Sequence, residues 1–170
     1  FVLTFQDMAN ENFRAEHVSA LLDEIEAQYT PWADKSYARW NTNPKDTPFA
    51  EQAEELRTYF NNRFDAIMPC LAEHFELEGA LSKLKLSAEN AEGGTISLNT
   101  LTPNLTAGDW EGQYYTDYPI TVSAAPAEGY TFAGWEIQGG EILEGTSSDL
   151  RITVQLSESG TTIHAVFEEN

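Results

Sequence analysis

The sequence predicts an α+β chain of the segregated kind. Three or four helices run to about residue 78, and a small antiparallel β domain, sandwich-like or a rolled sheet, occupies residues 79–170. Three observations carry this reading. All 11 glycines fall at Gly79 or later, and helices avoid glycine where turns and bulges need it. Between Pro48 and Phe75, Ala53, Leu56, Phe60, Phe64, Ile67, Leu71 and Phe75 recur every three or four positions, which is one helical face. From Leu84 onward apolar residues alternate with polar ones at period two, the pattern of half-buried strands.

The helical part reads as follows. Leu3 to about Phe13 is the end of a helix begun upstream. The chain opens on FVLTF, without a Met or a signal peptide, and reads as a piece of a longer protein. Phe1, Leu3, Phe5 and Met8 are then expected to form an exposed apolar patch through which two copies could associate. Val18, Leu21, Leu22, Ile25 and Tyr29 predict a second helix. Thr30-Pro31 should end it and start a third, which carries Trp32, Tyr37 and Trp40. Asn41 to Thr47, with Pro44, reads as a polar loop. The helix that follows starts with Thr47 as cap and Pro48 in its first turn. Pro69 should kink or split it.

In the second part, Leu84, Leu86 and Ala88 face one way, and Lys83, Lys85 and Ser87 the other. Ile96 and Leu98 behave likewise, as do Ile120, Val122 and Ala124; Leu150, Ile152, Val154 and Leu156; and Ile163, Ala165 and Phe167. Glycine-bearing turns separate them. In GYTFAGW, strict alternation would put Tyr130 and Phe132 on one face and Trp135 on the other. A bulge at Gly134 brings all three rings to the core side.

Charge and cysteine content narrow the function. The net charge is −19, from 28 acidic and 9 basic residues. Nucleic acid and anionic membrane surfaces are poor partners for such a chain. The charge suits the solubility of a secreted or surface protein. Cys70 is alone, so no internal disulfide can form. With no basic neighbour in sequence, it is expected to be a buried, inert thiol. No run of about 18 apolar residues is present to span a membrane. His17, His74 and His164 lack metal-ligand spacing, and no nucleotide-binding or nucleophile motif occurs. Catalytic residues, metal and cofactors are therefore expected to be none. Asn104-Leu105-Thr106 has the form of a glycosylation sequon.

The candidate binding residues are Trp110, Tyr114, Tyr115, Asp117 and Tyr118, in the stretch DWEGQYYTDY. Exposed rings beside carboxylates would suit a glycan or a peptide of another surface protein. The competing reading folds Trp110 and Tyr114 inward around Gly112 as core anchors. It is preferred because the early part of this sheet offers few other large side chains.

Two resemblances attach to these residues. GYTFAGWEIQGG with DLRITVQLSESGTTIHAVFEEN resembles the divergent internalin-B-type bacterial repeat, at Gly129, Tyr130, Phe132, Trp135, Ala165 and Phe167. That resemblance implies a small β domain of a bacterial surface protein, acting as spacer or adhesion unit. The helical part resembles the C-terminal end of the CotH (spore coat protein H) kinase-like family. The matching features are FQDMANENF, the Tyr37-Ala-Arg39-Trp40 stretch and the Leu56, Arg57, Phe60, Arg63 pattern, followed by a Trp110-x-Gly112-x-Tyr114 turn. This second resemblance implies a parent that is an atypical ATP- and metal-dependent protein kinase, whose binding acids lie upstream of the matched region. No residue of this chain matches those acids. The expectation is a non-catalytic, extracellular or cell-surface segment whose partner is the upstream part of the same parent.

Overall fold

The computed structural model describes residues 1–40 and 49–170. The expected loop over Asn41–Thr47 and the cap at Thr47-Pro48 lie outside the described residues. Among the described residues four helices come first: α1 (Val2–Asn10), α2 (Ala15–Trp40), α3 (Phe49–Asn61) and α4 (Arg63–Phe75). Eight strands follow: β1 (Leu81–Glu89), β2 (Gly94–Leu98), β3 (Trp110–Tyr115), β4 (Ile120–Pro126), β5 (Tyr130–Gln138), β6 (Gly140–Glu144), β7 (Arg151–Leu156) and β8 (Thr161–Glu169). The α+β order holds, with helices first and sheets after.

The helix breaks differ from expectation at Pro31, which lies inside the continuous α2, while Pro69 lies inside α4 without splitting it. Both are exposed, and a helix that loses one bond on its solvent side leaves that carbonyl to water. The 48–75 pattern divides at Asn62 instead. There the side-chain amide donates to the Thr58 carbonyl at 2.9 Å and competes with the backbone ladder.

The chain groups into two compact units. Met8–Cys70 form one; Phe1–Asp7 together with Leu71–Asn170 form the other. The first and last helices each contribute to both, which a boundary at residue 78 does not express. Within the helical unit, Arg57 of α3 bonds Asp23 at 2.5 Å and also Glu26, both on α2. These bonds, that to Glu26 first, push the guanidinium above its ordinary value. Cys70 is exposed, contrary to the expected burial, with Sγ 3.4 Å from the Ala66 carbonyl. The apolar stripe of α4 does not run through its position.

The β unit is a sandwich of two four-stranded sheets, ordered β3-β1-β8-β5 and β2-β4-β7-β6. Its core draws on both: Leu84, Leu86, Trp110, Tyr114, Trp135, Ile163 and Phe167 from the first, and Ile96, Leu98, Ile120, Val122, Ile152, Val154 and Leu156 from the second. All neighbouring strands are antiparallel except β1 and β8, which pair in parallel at the centre of the first sheet, from Leu84↔Thr161 to Glu89↔Val166. The register of β5 on β8 shifts between Phe132 and Gly134. This bulge turns Trp135 inward, with its ring 5.0 Å from Phe132. The chain crosses from one sheet to the other at Gly139, where φ is 71° and a Cβ would collide with the Gly160 carbonyl.

The four N-terminal apolar residues do not make one exposed patch. Phe1 is 81% exposed and Met8 40%. Leu3 packs on the sandwich core, and Phe5 is half-buried with its ring 6.1 Å from Phe1.

Candidate functional site

The aromatic stretch 110–118 is built on β3 and the turn after it. Alternation along β3 sends Trp110, Gly112 and Tyr114 toward the core, where both rings are buried. Tyr115, on the opposite face of the strand, is buried as well. Burial, and then the charge of Asp117, push its phenol above the ordinary value. Among the five candidates only Tyr118 and Asp117 are exposed. The Asp117 carboxylate is engaged by the backbone, accepting from the Glu78 N–H at 2.8 Å and the Gly79 N–H at 3.0 Å. At Gly79 a Cβ would lie 2.5 Å from Thr116 Oγ1 and 2.6 Å from Asp117 Oδ2, so only glycine fits there. Asp117 thus fixes the entry of the chain into β1. The five residues share a sequence neighbourhood, but three of their rings present no face to a ligand.

A buried polar cluster among the described residues carries no mark in the apolar periodicity. Gln6 and Asp7 of α1 are fully buried. Asp7 accepts four hydrogen bonds: from Tyr114 Oη at 2.8 Å, Asn99 Nδ2 at 3.1 Å, the Thr100 N–H at 3.1 Å and Thr100 Oγ1 at 2.6 Å. Gln6 Oε1 accepts from the Tyr115 N–H at 2.6 Å. A carboxylate has about four lone-pair positions, and here each has its donor. The group is spent on structure, with nothing left for a substrate or a metal. Its only sequence signal is a Gln-Asp pair in an otherwise apolar helix, FVLTFQDMA.

The histidines are dispersed. His17 and His74 are exposed. His164 Nδ1 lies 2.8 Å from Ser87 Oγ on the outer face of the first sheet, and Glu136 stands opposite it on β5. No oxyanion-type donors converge on this row among the described contacts. Lys85 bonds Asp109 at 2.7 Å, which pushes its ammonium above the ordinary value. Asn104 of the sequon is exposed, and its side-chain carbonyl accepts from the Thr106 N–H and hydroxyl. Among the described residues no group of three or more His, Cys, Asp or Glu is placed to hold a metal ion. No described helix is long and apolar enough to cross a membrane.

No curated protein and no solved structure matches the chain, and no match to the CotH kinase-like family is found for the helical part. Residues 84–170 do match the sequence model of the divergent InlB B-repeat domain. The span runs from the middle of β1 to the last residue and takes in the bulge at Gly134, Trp135 beside it and the closing strand β8. It amounts to half of the chain, which therefore belongs to the divergent InlB B-repeat family.

Proposed function

We propose that the β unit is a load-bearing spacer of a bacterial surface protein, and that the chain as it stands transfers no chemical group. A domain of the B-repeat type fits a surface or attachment module, and a surface or extracellular location is compatible with it. In this reading the helices complete a lobe of the same parent protein, the kinase-like lobe that their sequence resembles. That part rests on the residues of the resemblance alone.

The observation that carries the spacer reading is the parallel pairing of β1 with β8. The strand that enters the module and the strand that leaves it are central neighbours. Tension applied at the start of β1 and at the end of β8 draws the two strands in opposite directions along their common axis. The evenly spaced bonds of a parallel ladder then share the load instead of opening one by one. Forced unfolding is governed by the unfolding rate, which such a geometry keeps low.

The exposed Cys70 provides a handle just upstream of the module. Pulling between Cys70 and the C-terminus loads the β1–β8 pair in shear. Pulling between Cys70 and a Glu158→Cys handle, in the turn before β8, peels the same pair apart. The expected result is a clearly higher rupture force in shear. Equal forces in the two geometries would overturn the spacer reading.

A further inference from the structure

The helical unit holds a hollow of about 520 Å³ lined by Ile25, Tyr29, Trp32, Ala33, Ser36, Tyr37 and Phe49. Ile25, Ala33, Tyr37 and Phe49 are half-buried, and Tyr29 and Trp32 stand exposed beside them. Four of the seven lining residues are aromatic. Among the described lining side chains, Ser36, the two phenols and the Trp32 indole N–H can hydrogen-bond, and none is charged. An occupant of this surface must ask for few hydrogen bonds.

Charge selects further. The unit over residues 8–70 has 11 acidic and 6 basic residues, in a chain of net charge −19. Such a field concentrates cations and repels anions. One ring of the hollow already takes a cation: Lys35 Nζ lies 5.1 Å from the centroid of Trp32. A cation that carries no N–H, and so loses nothing in a lining poor in acceptors, is a quaternary ammonium. Aromatic faces attract such a group through their quadrupole. We propose that this hollow binds a small ligand through a trimethylammonium group, with Trp32 and Tyr29 as the principal contacts and Lys35 as an internal competitor. The site lies outside the B-repeat span and does not depend on the spacer reading.

The test uses the full chain and choline, with the neutral tert-butyl isostere of choline as control, followed by calorimetry and indole fluorescence. Saturable binding of choline in the millimolar range is expected, with the isostere at least about fivefold weaker. Trp32→Ala should weaken choline about tenfold, and Trp32→Phe should restore part of the loss. Lys35→Ala should tighten it, because the competing ammonium is gone; a merely greasy surface would not respond in that direction. Far-UV circular dichroism verifies that the variants remain folded, and Trp32 is exposed enough for them to do so. Equal binding of choline and its isostere, no saturation at millimolar choline, or an unchanged affinity in Trp32→Ala would each overturn the proposal.

Discussion

Trp135 is the residue on which the sequence and the fold agree most closely. It is buried among Phe132, Phe167 and the second sheet, and its indole N–H donates to the Asp149 carbonyl at 2.8 Å. Trp135→Ala is expected to cost about 3–5 kcal/mol, as for other large core side chains, measurable by urea denaturation. Its place was legible because a glycine sits one residue before it in an alternating strand, where a bulge is the economical way to bury three rings. Tyr115 was not legible in this way, since alternation puts it on the outer face of β3. Its folded-state phenol titrates above the ordinary value near 10.0. The neutral form is the one the fold favours. Its contribution to stability is therefore full below the unfolded-state value and is lost as pH rises through the folded-state one. Tyr115→Phe should flatten the alkaline limb of the stability profile and leave neutral pH behaviour nearly unchanged. A limb equally steep in the variant would assign it to another group.

At the scale of elements, strands were easier to read than helix ends. Period-two runs with glycine between them mark β1, β2, β4, β7 and β8 almost residue by residue. Helix ends are read from prolines, and Pro31 misleads, since it starts no helix of its own. A proline can begin a helix or sit on the exposed side of one, and spacing alone does not separate the cases. Asn62 ends α3 by bonding back to Thr58, a local competition that leaves no trace in apolar periodicity. The two readings of Pro31 predict opposite outcomes. Inside a continuous α2, Pro31→Ala restores a donor to the Ala27 carbonyl and removes a steric clash, so the helical unit should gain about 1–3 kcal/mol. At the first position of a separate helix the same change would be neutral or mildly destabilising. Thermal melting followed at 222 nm, the usual helical wavelength, distinguishes them.

The whole molecule holds what no local pattern could give. Parallel pairing of the first and last strands joins segments about eighty residues apart, and alternation is the same in parallel and antiparallel ladders. The grouping of residues 1–7 with the β unit is likewise invisible, because the partners of Gln6 and Asp7 lie more than ninety residues downstream. This grouping makes the first turns of the chain part of the sandwich. Removing the two side chains with Gln6→Ala and Asp7→Ala leaves Tyr114 Oη, deep in the core, without this acceptor, and takes from the Tyr115 N–H its bond to Gln6. A buried donor deprived of its acceptor costs about 1–3 kcal/mol, more where the lost partner was charged. The full chain carrying both changes should therefore melt its β unit at a lower temperature. The near-ultraviolet signal of Trp110 and Trp135, both buried there, reports that unit. The helical signal should move far less, since the bonds of Arg57 between α2 and α3 are untouched. Asp7→Asn is the informative intermediate: it keeps an acceptor for Tyr114 but loses the charge and one acceptor oxygen, and should fall between wild type and the double variant. Loss of the helical signal in step with the β signal would show instead that the two units unfold together, and that Gln6 and Asp7 tie down more than the sandwich.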